Sequence, residues 1–100
     1  MFLIVWEYRV APERVEEFET LYRPDGEWSG LFHGSLGYVG TTLWRDLREP
    51  LRYQVSDRWT SAEAYEAFKH EHGDAYRELS ERGRRLYRTE SEVGRFTVVE

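Results

Sequence analysis

Apolar side chains recur at every second position in three parts of the chain, Phe2–Val10, Tyr38–Asp46 and Leu51–Trp59. A period of two, with many aromatic and β-branched residues, is typical of β-strands. The short apolar segment Val93–Val99 predicts a fourth strand near the end of the sequence. We therefore expect four strands, of which the second and third are separated by a short loop and pair with each other.

The segments between these strands have helical spacing instead. Phe18 lies within an apolar stripe that follows Pro12, a residue suited to the first turn of a helix, and this predicts a helix over Pro12–Tyr22. The spacing within Trp28–Phe32 predicts a second, short helix, with Asp25 as its cap and Gly34 at its end.

A third helical region follows the third strand. Thr60 and Glu63 have the spacing of a capping box, which predicts a helix that opens at Ser61. Its apolar stripe continues to Leu86 and crosses Gly73, where we expect the helix to be kinked or divided. The stripe includes His72, so this histidine is predicted to point toward the interior of the protein.

The resulting order, β-α-β-β-α-β, predicts a single α+β domain over residues 1–100 with a ferredoxin-like four-stranded antiparallel sheet. Helices cover only one face of such a sheet, yet both faces of strand 1 are apolar. Leu3 and Val5 lie on one face, and Ile4 and Trp6 lie on the other. A large exposed apolar face is unusual for a monomer. We therefore expect a homodimer in which the two sheets pack against each other.

Face assignments follow from the same alternation. In the second strand, one face is predicted to carry four residues: Tyr38, Gly40, Thr42 and Trp44. In the last strand, Val93 and Val99 are predicted on one face, and Phe96 and Val98 on the other. Glu7 and Arg9 share a face of strand 1, which predicts an ion pair between them at the dimer interface.

Composition and charge narrow the classes of function. The chain has no cysteine, which removes disulfides, thiolate metal sites and thiol nucleophiles. A net charge of -5 argues against nucleic acid as a partner. The longest apolar run, Phe2–Trp6, is far too short to span a bilayer. These features predict a cytoplasmic protein without a membrane partner.

Histidine is the remaining source of metal ligands. His70 and His72 lie about 200° apart around a helix, so they cannot hold one ion together, and we predict no metal site. Two interpretations of His72 stay open: a core histidine whose nitrogens are satisfied by neighbours, or a base or donor in a pocket. Trp59 has the same two interpretations, as core residue or as pocket wall.

Three segments of the chain together carry a resemblance: FLIVWEYRV, YRPDGEWSGLFHGSLGYVGTTLWRD and YQVSDRWTSAEAYEAF. They resemble the antibiotic biosynthesis monooxygenase family of dimeric α+β barrels over nearly the whole chain. The resemblance implies oxidation of a planar phenol or anthrone by O2 without metal or flavin, in a dry cavity. Trp59 matches a tryptophan of the third strand in several branches, whereas the asparagine of the quinone-forming and haem-degrading branches has no counterpart here.

The sequence-based hypothesis is thus a homodimeric, cofactor-independent monooxygenase that acts on a planar aromatic small molecule. His72 and Trp59 are the expected catalytic residues. Five aromatic residues are expected to bind the substrate: Trp28, Phe32, Tyr53, Phe68 and Tyr76. The alternatives are a non-catalytic binding or structural dimer of the same fold, and a haem-binding or haem-degrading protein in which His72 is an iron ligand.

Overall fold

A computed structural model describes all residues from Met1 to Glu100. Its strands are β1 (Phe2–Val10), β2 (Tyr38–Arg45), β3 (Arg52–Trp59) and β4 (Tyr87–Thr97), and its helices are α1 (Val15–Tyr22), α2 (Glu27–Phe32), α3 (Ala62–Glu71) and α4 (Gly73–Gly83). Short 3-10 turns at Pro12–Arg14 and Arg84–Leu86 precede α1 and β4.

The four strands form one antiparallel sheet in the order β2-β3-β1-β4. The helices pack on one face of this sheet, and the core lies between the two layers. The predicted α+β, ferredoxin-like architecture is therefore confirmed. The longest helix, α4, has 11 residues, and no helix has the length and hydropathy of a membrane-spanning segment.

The helix boundaries differ from the predictions at the caps. Ser61, not Thr60, caps α3, because its hydroxyl accepts a hydrogen bond from the backbone N–H of Ala64 at 3.1 Å. The cap position of α2 is Gly26, so the predicted role of Asp25 is wrong. The expected division at Gly73 is confirmed, since α3 ends at Glu71 and α4 begins at Gly73.

A β-bulge in β2 corrects the predicted face of Tyr38. The pairing with β3 shifts between Tyr38 and Gly40, so that Tyr38 opposes Trp59 and Thr41 opposes Asp57. Residues that oppose each other in a sheet share a face, so Tyr38 lies on the helix side. Strict alternation had placed it on the other face, because alternation takes no account of the extra residue in a bulge.

The last strand begins earlier than predicted, at Tyr87, and contains bulges in its pairing with β1. Phe96 opposes Leu3 and Gly94 opposes Val5, which places all four on the face of the sheet away from the helices. Strict alternation predicts Phe96 and Val93 on different faces of the sheet. The register shifts next to Val93, so alternation does not assign a face to this residue. This outer face is partly apolar, and Phe96 is 48% exposed.

Polar groups occupy the other part of the outer face. Glu7 accepts hydrogen bonds from Arg52 at 2.8 Å and from Gln54 at 3.0 Å, both on the adjacent strand β3. Arg9 pairs with Glu49 at 3.2 Å instead. The predicted Glu7–Arg9 pair is therefore wrong, because the cross-strand partner of Glu7 is closer than the residue two positions along its own strand.

Candidate active site

A cavity of about 180 Å³ lies between the sheet and the helices α2, α3 and α4. Aromatic rings make up most of its wall: Trp6, Tyr8, Tyr22, Trp28, Phe32, Tyr65, Tyr76 and Tyr87. The rings pack closely, and Trp28 meets Tyr76 edge-on with their centroids 5.2 Å apart. An apolar cavity of ~150 Å³ is large enough for benzene, so this space accommodates a single aromatic ring and somewhat more.

Asp57 is the buried carboxyl group of this cavity. It lies on β3 between Val55 and Trp59, on the strand face that packs against the helices, and it is only 6% exposed. Its Oδ1 accepts a hydrogen bond of 2.6 Å from the hydroxyl of Thr41 on the neighbouring strand β2. No hydrogen bond joins its Oδ2 to another group of the chain, and this oxygen is not among the fully buried unpaired polar atoms, so it keeps contact with the cavity space.

Burial raises the pKa of Asp57 to about 6, although the Thr41 hydrogen bond and the charge of Arg58 act in the opposite direction. A carboxylate withdrawn from water loses hydration that one neutral hydroxyl does not replace. Asp57 therefore changes protonation state close to neutral pH. A group of this kind is suited to accept and return protons.

Three hydroxyl groups continue from Asp57 toward the protein surface. The Thr41 hydroxyl lies 2.6 Å from that of Tyr38, and the Tyr38 hydroxyl lies 3.3 Å from that of Ser29. Ser29, Tyr38 and Thr41 all line an open groove next to α2. The β2 bulge creates this arrangement, because it turns Tyr38 to the same face as Thr41 and Asp57.

A second carboxyl group lies at another side of the cavity. Glu90 of β4 accepts a hydrogen bond of 2.7 Å from the buried Tyr8. Burial raises the pKa values of Tyr8, Tyr22, Tyr65 and Tyr76 above the usual range, and that of Tyr87 to about 12. The tyrosine side chains of the cavity are therefore neutral at physiological pH and can donate hydrogen bonds.

One indole in the cavity wall has an unsatisfied donor. The Nε1 of Trp28 is buried without a hydrogen-bond partner, and so is the Nε1 of Trp59. Buried N–H groups in proteins are nearly always paired. A molecule with an acceptor oxygen, bound in the cavity that Trp28 lines, offers a partner for such a group.

Three of the seven residues predicted from sequence line this cavity: Trp28, Phe32 and Tyr76. Trp59 and Phe68 lie in the core beside it, where Trp59 meets Phe32 edge-on at 5.4 Å between centroids. Tyr53 belongs to a different part of the core, packs on Phe18, and donates its hydroxyl hydrogen to Glu19. The predicted set is thus one continuous aromatic core with the cavity at one side.

His72 is placed differently from its prediction. Its side chain is exposed, it lies at the junction of α3 and α4, and its ring packs on Phe68 with centroids 5.2 Å apart. The helical stripe is interrupted there, because the break before Gly73 changes the direction of the chain. The expectation that His72 points to the interior is wrong, and the structure does not bring it to the cavity.

Asp57 and Glu90 are the two carboxyl residues of the cavity wall that the sequence-based prediction did not include. Asp57 had a signal in the sequence, since it is an acidic residue at an inward position of an otherwise apolar strand face. Glu90 had none, because it lies in a charged segment whose alignment with the cavity depends on the bulged pairing of β4.

The sequence model of the family described as antibiotic biosynthesis monooxygenase matches residues 1–82. No curated protein matches the chain in sequence.

Two solved structures resemble this one closely in fold. SnoaB, a cofactor-independent oxygenase from Streptomyces nogalater, has a TM-score of 0.81 and 22% identity, with 99% of this chain and 93% of that chain covered. MhuD, a haem degrader from Mycobacterium tuberculosis, has a TM-score of 0.73 and 21% identity, with 100% and 97% covered. At these identities, the two likenesses show a shared fold.

Proposed function

Since the chain belongs to the antibiotic biosynthesis monooxygenase family, we propose that it oxidises a small planar phenol or anthrone with O2, and that the cavity beside Asp57 is the active site. The observation that carries this proposal is the mainly aromatic cavity with one buried carboxyl group. Rings on its walls stack against a planar substrate, and Asp57 faces the substrate with a free oxygen.

The chemistry needs no group beyond the substrate and O2. Loss of a proton makes an electron-rich anion, whose ring carbon transfers electrons to O2 and forms a C–O bond. In an anthrone the ring methylene loses both hydrogens. One oxygen atom becomes the new carbonyl oxygen, and the other leaves with these two hydrogens as water, which balances atoms and electrons. The cavity excludes water and holds the anion in place.

The cavity volume limits the substrate. About 180 Å³ is little more than the space that holds one benzene ring. We therefore propose one-ring or two-ring phenols as the preferred substrates, while three-ring anthrones require the α2 side of the cavity to open. Trp28, Phe32 and Tyr76 are the proposed substrate contacts; Trp59, Phe68 and Tyr53 support them from the core.

The structure does not favour a haem site in this cavity. His33, His70 and His72 are all exposed, and none of them lines the cavity. The cavity therefore offers no imidazole ligand for iron. Titration with haem, followed by its Soret band, is the corresponding measurement, and we expect no shift that depends on cavity residues.

Oxygen uptake tests the proposed activity. The purified protein is incubated with dihydroxynaphthalenes and anthrones in an oxygen-electrode cell, and the quinone product is identified by mass spectrometry. We expect uptake with at least one two-ring compound. Trp28→Ala, which opens the cavity wall, is expected to raise KM, whereas Trp44→Ala on the outer face is the matched control. Absence of uptake across the panel would favour a non-catalytic binding protein.

We also propose that two copies of the chain pack through the outer faces of their sheets. Leu3 and Val5 are half-buried there and lie next to the exposed Phe96, which opposes Leu3. Burying this apolar patch against its symmetric copy removes it from water. Light scattering is expected to give the mass of a dimer, and Val5→Lys is expected to give a monomer. Val39→Lys, at an exposed position of β2, is the matched control.

A further inference from the structure

The hydrogen bonds around Asp57 form a continuous row that leads out of the cavity. From Asp57 they pass to Thr41, then to Tyr38, and then to Ser29, with successive oxygen separations of 2.6, 2.6 and 3.3 Å. Asp57 lines the cavity, whereas Thr41, Tyr38 and Ser29 line the open groove next to α2. The row therefore joins the cavity to the groove, through the hydrogen bond between Asp57 and Thr41.

Each hydroxyl in this row has one hydrogen, so the row has two consistent arrangements. When Asp57 is ionised, Thr41 donates to it and Tyr38 donates to Thr41. When Asp57 is protonated, it donates to Thr41, Thr41 donates to Tyr38, and Tyr38 donates to Ser29. Either hydroxyl can be the donor in the Thr41–Tyr38 contact, so this central bond can reverse without movement of the oxygen atoms.

We propose that Asp57 is the catalytic base of this site and that Thr41, Tyr38 and Ser29 carry its proton to the solvent in the groove. This inference rests on the proposed function. The substrate O–H or C–H gives its proton to the free Oδ2 of Asp57, and the electron pair stays on the substrate. Rotation of the carboxyl group brings the proton to Thr41, and each hydroxyl then receives one proton and passes one on.

The surroundings of Asp57 suit this role. Arg58 on the same strand lowers its pKa, and the neutral phenols of Tyr65 on α3 and Tyr76 on α4 face it across the cavity. Glu90 and Arg84 lie in the same cavity wall. Burial dominates these influences and raises the pKa of the carboxyl group to about 6, so Asp57 is mostly ionised at neutral pH and is a stronger base than an exposed aspartate.

Glu90 is less suited to be the base. Its carboxylate is already engaged by the Tyr8 hydroxyl at 2.7 Å, and its side chain is largely exposed. Glu90 therefore holds the Tyr8 hydroxyl at the cavity wall.

Oxygen uptake with a dihydroxynaphthalene tests the base. Asp57→Asn retains the shape and the hydrogen bond from Thr41, yet it cannot accept a proton, so we expect a loss of kcat of about 100-fold or more. Binding is measured separately without oxygen, from quenching of tryptophan fluorescence by the same compound, and is expected to persist. Uptake by Asp57→Asn at the wild-type rate would overturn the assignment.

The hydroxyl row is tested with Thr41→Val, which removes the hydroxyl, and Thr41→Ser, which restores it. We expect Thr41→Val to slow turnover about tenfold, to move the acidic limb of the pH–rate profile upward, and to abolish the solvent deuterium isotope effect. Thr41→Ser is expected to rescue all three. Thr42→Val, whose hydroxyl faces the other way and bonds to Arg58, is the matched control. Equal kinetics of the valine and serine variants would overturn the relay.

A substrate-free measurement separates this inference from the proposed function. Carbon-13 NMR of the Asp57 carboxyl group in the free protein reports its pKa and its rate of proton exchange with solvent. We expect titration near pH 6 and exchange that is slower in Thr41→Val and in Tyr38→Phe. Titration in the ordinary aspartate range, or exchange unaffected by these variants, overturns the inference even if oxygen uptake is found. Absence of uptake with the expected NMR result overturns only the proposed function.

Discussion

Two carboxylates on the same sheet, Asp57 on the helix side and Glu7 on the outer side, show how differently one fold treats the same chemical group. Asp57 has one neutral donor, and burial raises its pKa to about 6. Glu7 has two donors from β3, Arg52 and Gln54, and these hydrogen bonds lower its pKa. The folded protein therefore stabilises the charged form of Glu7, whereas it destabilises the charged form of Asp57.

The two carboxylates contribute to stability with opposite signs. A paired carboxylate contributes stability when it is ionised, because its partners are lost on unfolding. A buried carboxylate with a raised pKa costs stability when it is ionised, and such costs are found at sites with a function. The helix side of the sheet therefore carries the candidate chemistry, and the outer side carries the proposed contact with a second copy.

The largest effect is expected from removing the central aromatic ring of the helix side. Trp59→Ala leaves a large cavity in the core and is expected to lower the free energy of unfolding by about 3–5 kcal/mol. Trp44→Ala, at a side chain 57% exposed on the outer side, is the control and is expected to cost less than about 1 kcal/mol. Urea denaturation measures both. Equal losses would contradict the division between the two faces.

Asp57→Asn is expected to stabilise the protein above pH 6, by on the order of 2–3 kcal/mol, because the wild type must ionise a buried group there. The folded-state pKa is raised, so wild-type stability falls as pH rises from ~4 to 6. The extra free energy of unfolding of Asp57→Asn relative to wild type is therefore fully present above pH 6 and vanishes below pH ~4. Thermal unfolding at pH 4 and pH 8 measures it. A variant less stable than wild type at pH 8 would show that Asp57 is structural.

Glu7→Gln is expected to act in the opposite direction and more weakly. The folded-state pKa of Glu7 is lowered, so its contribution is present above the unfolded pKa and is lost as pH falls through the folded value. We expect a loss of at most about 1 kcal/mol at pH 7 and a smaller one at pH 3, measured by urea denaturation. Glu49→Gln, in the exposed pair with Arg9, is the control. A loss that is the same at both pH values would argue against an ionic contribution.

The smallest effect is expected at His72. His72→Ala removes an exposed ring that packs on Phe68 and lies outside the cavity, so oxygen uptake and its pH dependence are expected to stay at wild-type values. The comparison with Asp57→Asn under identical conditions decides which residue is the base. Loss of uptake in His72→Ala would restore the role that the sequence pattern had suggested.

Much of the fold was predictable because its signals are local. The alternation in Phe2–Val10 and Arg52–Trp59 marked strands that the structure contains, and Gly73 marked the division between α3 and α4. The aromatic wall residues Trp28, Phe32 and Tyr76 were predictable because apolar spacing identifies the inward side of a helix. His72 was misplaced by the same rule, since the stripe was extended across a break in the helix.

Local patterns of apolar residues are enough to predict the element order and the α+β class. The contact of Asp57 with Thr41, and the turn of Tyr38 to the same side, come from the pairing of strands in the folded sheet. These contacts depend on the register between β2 and β3, which a one-residue bulge shifts. A bulge reverses which face a side chain occupies and leaves the local pattern of apolar residues unchanged, so no periodicity reveals it.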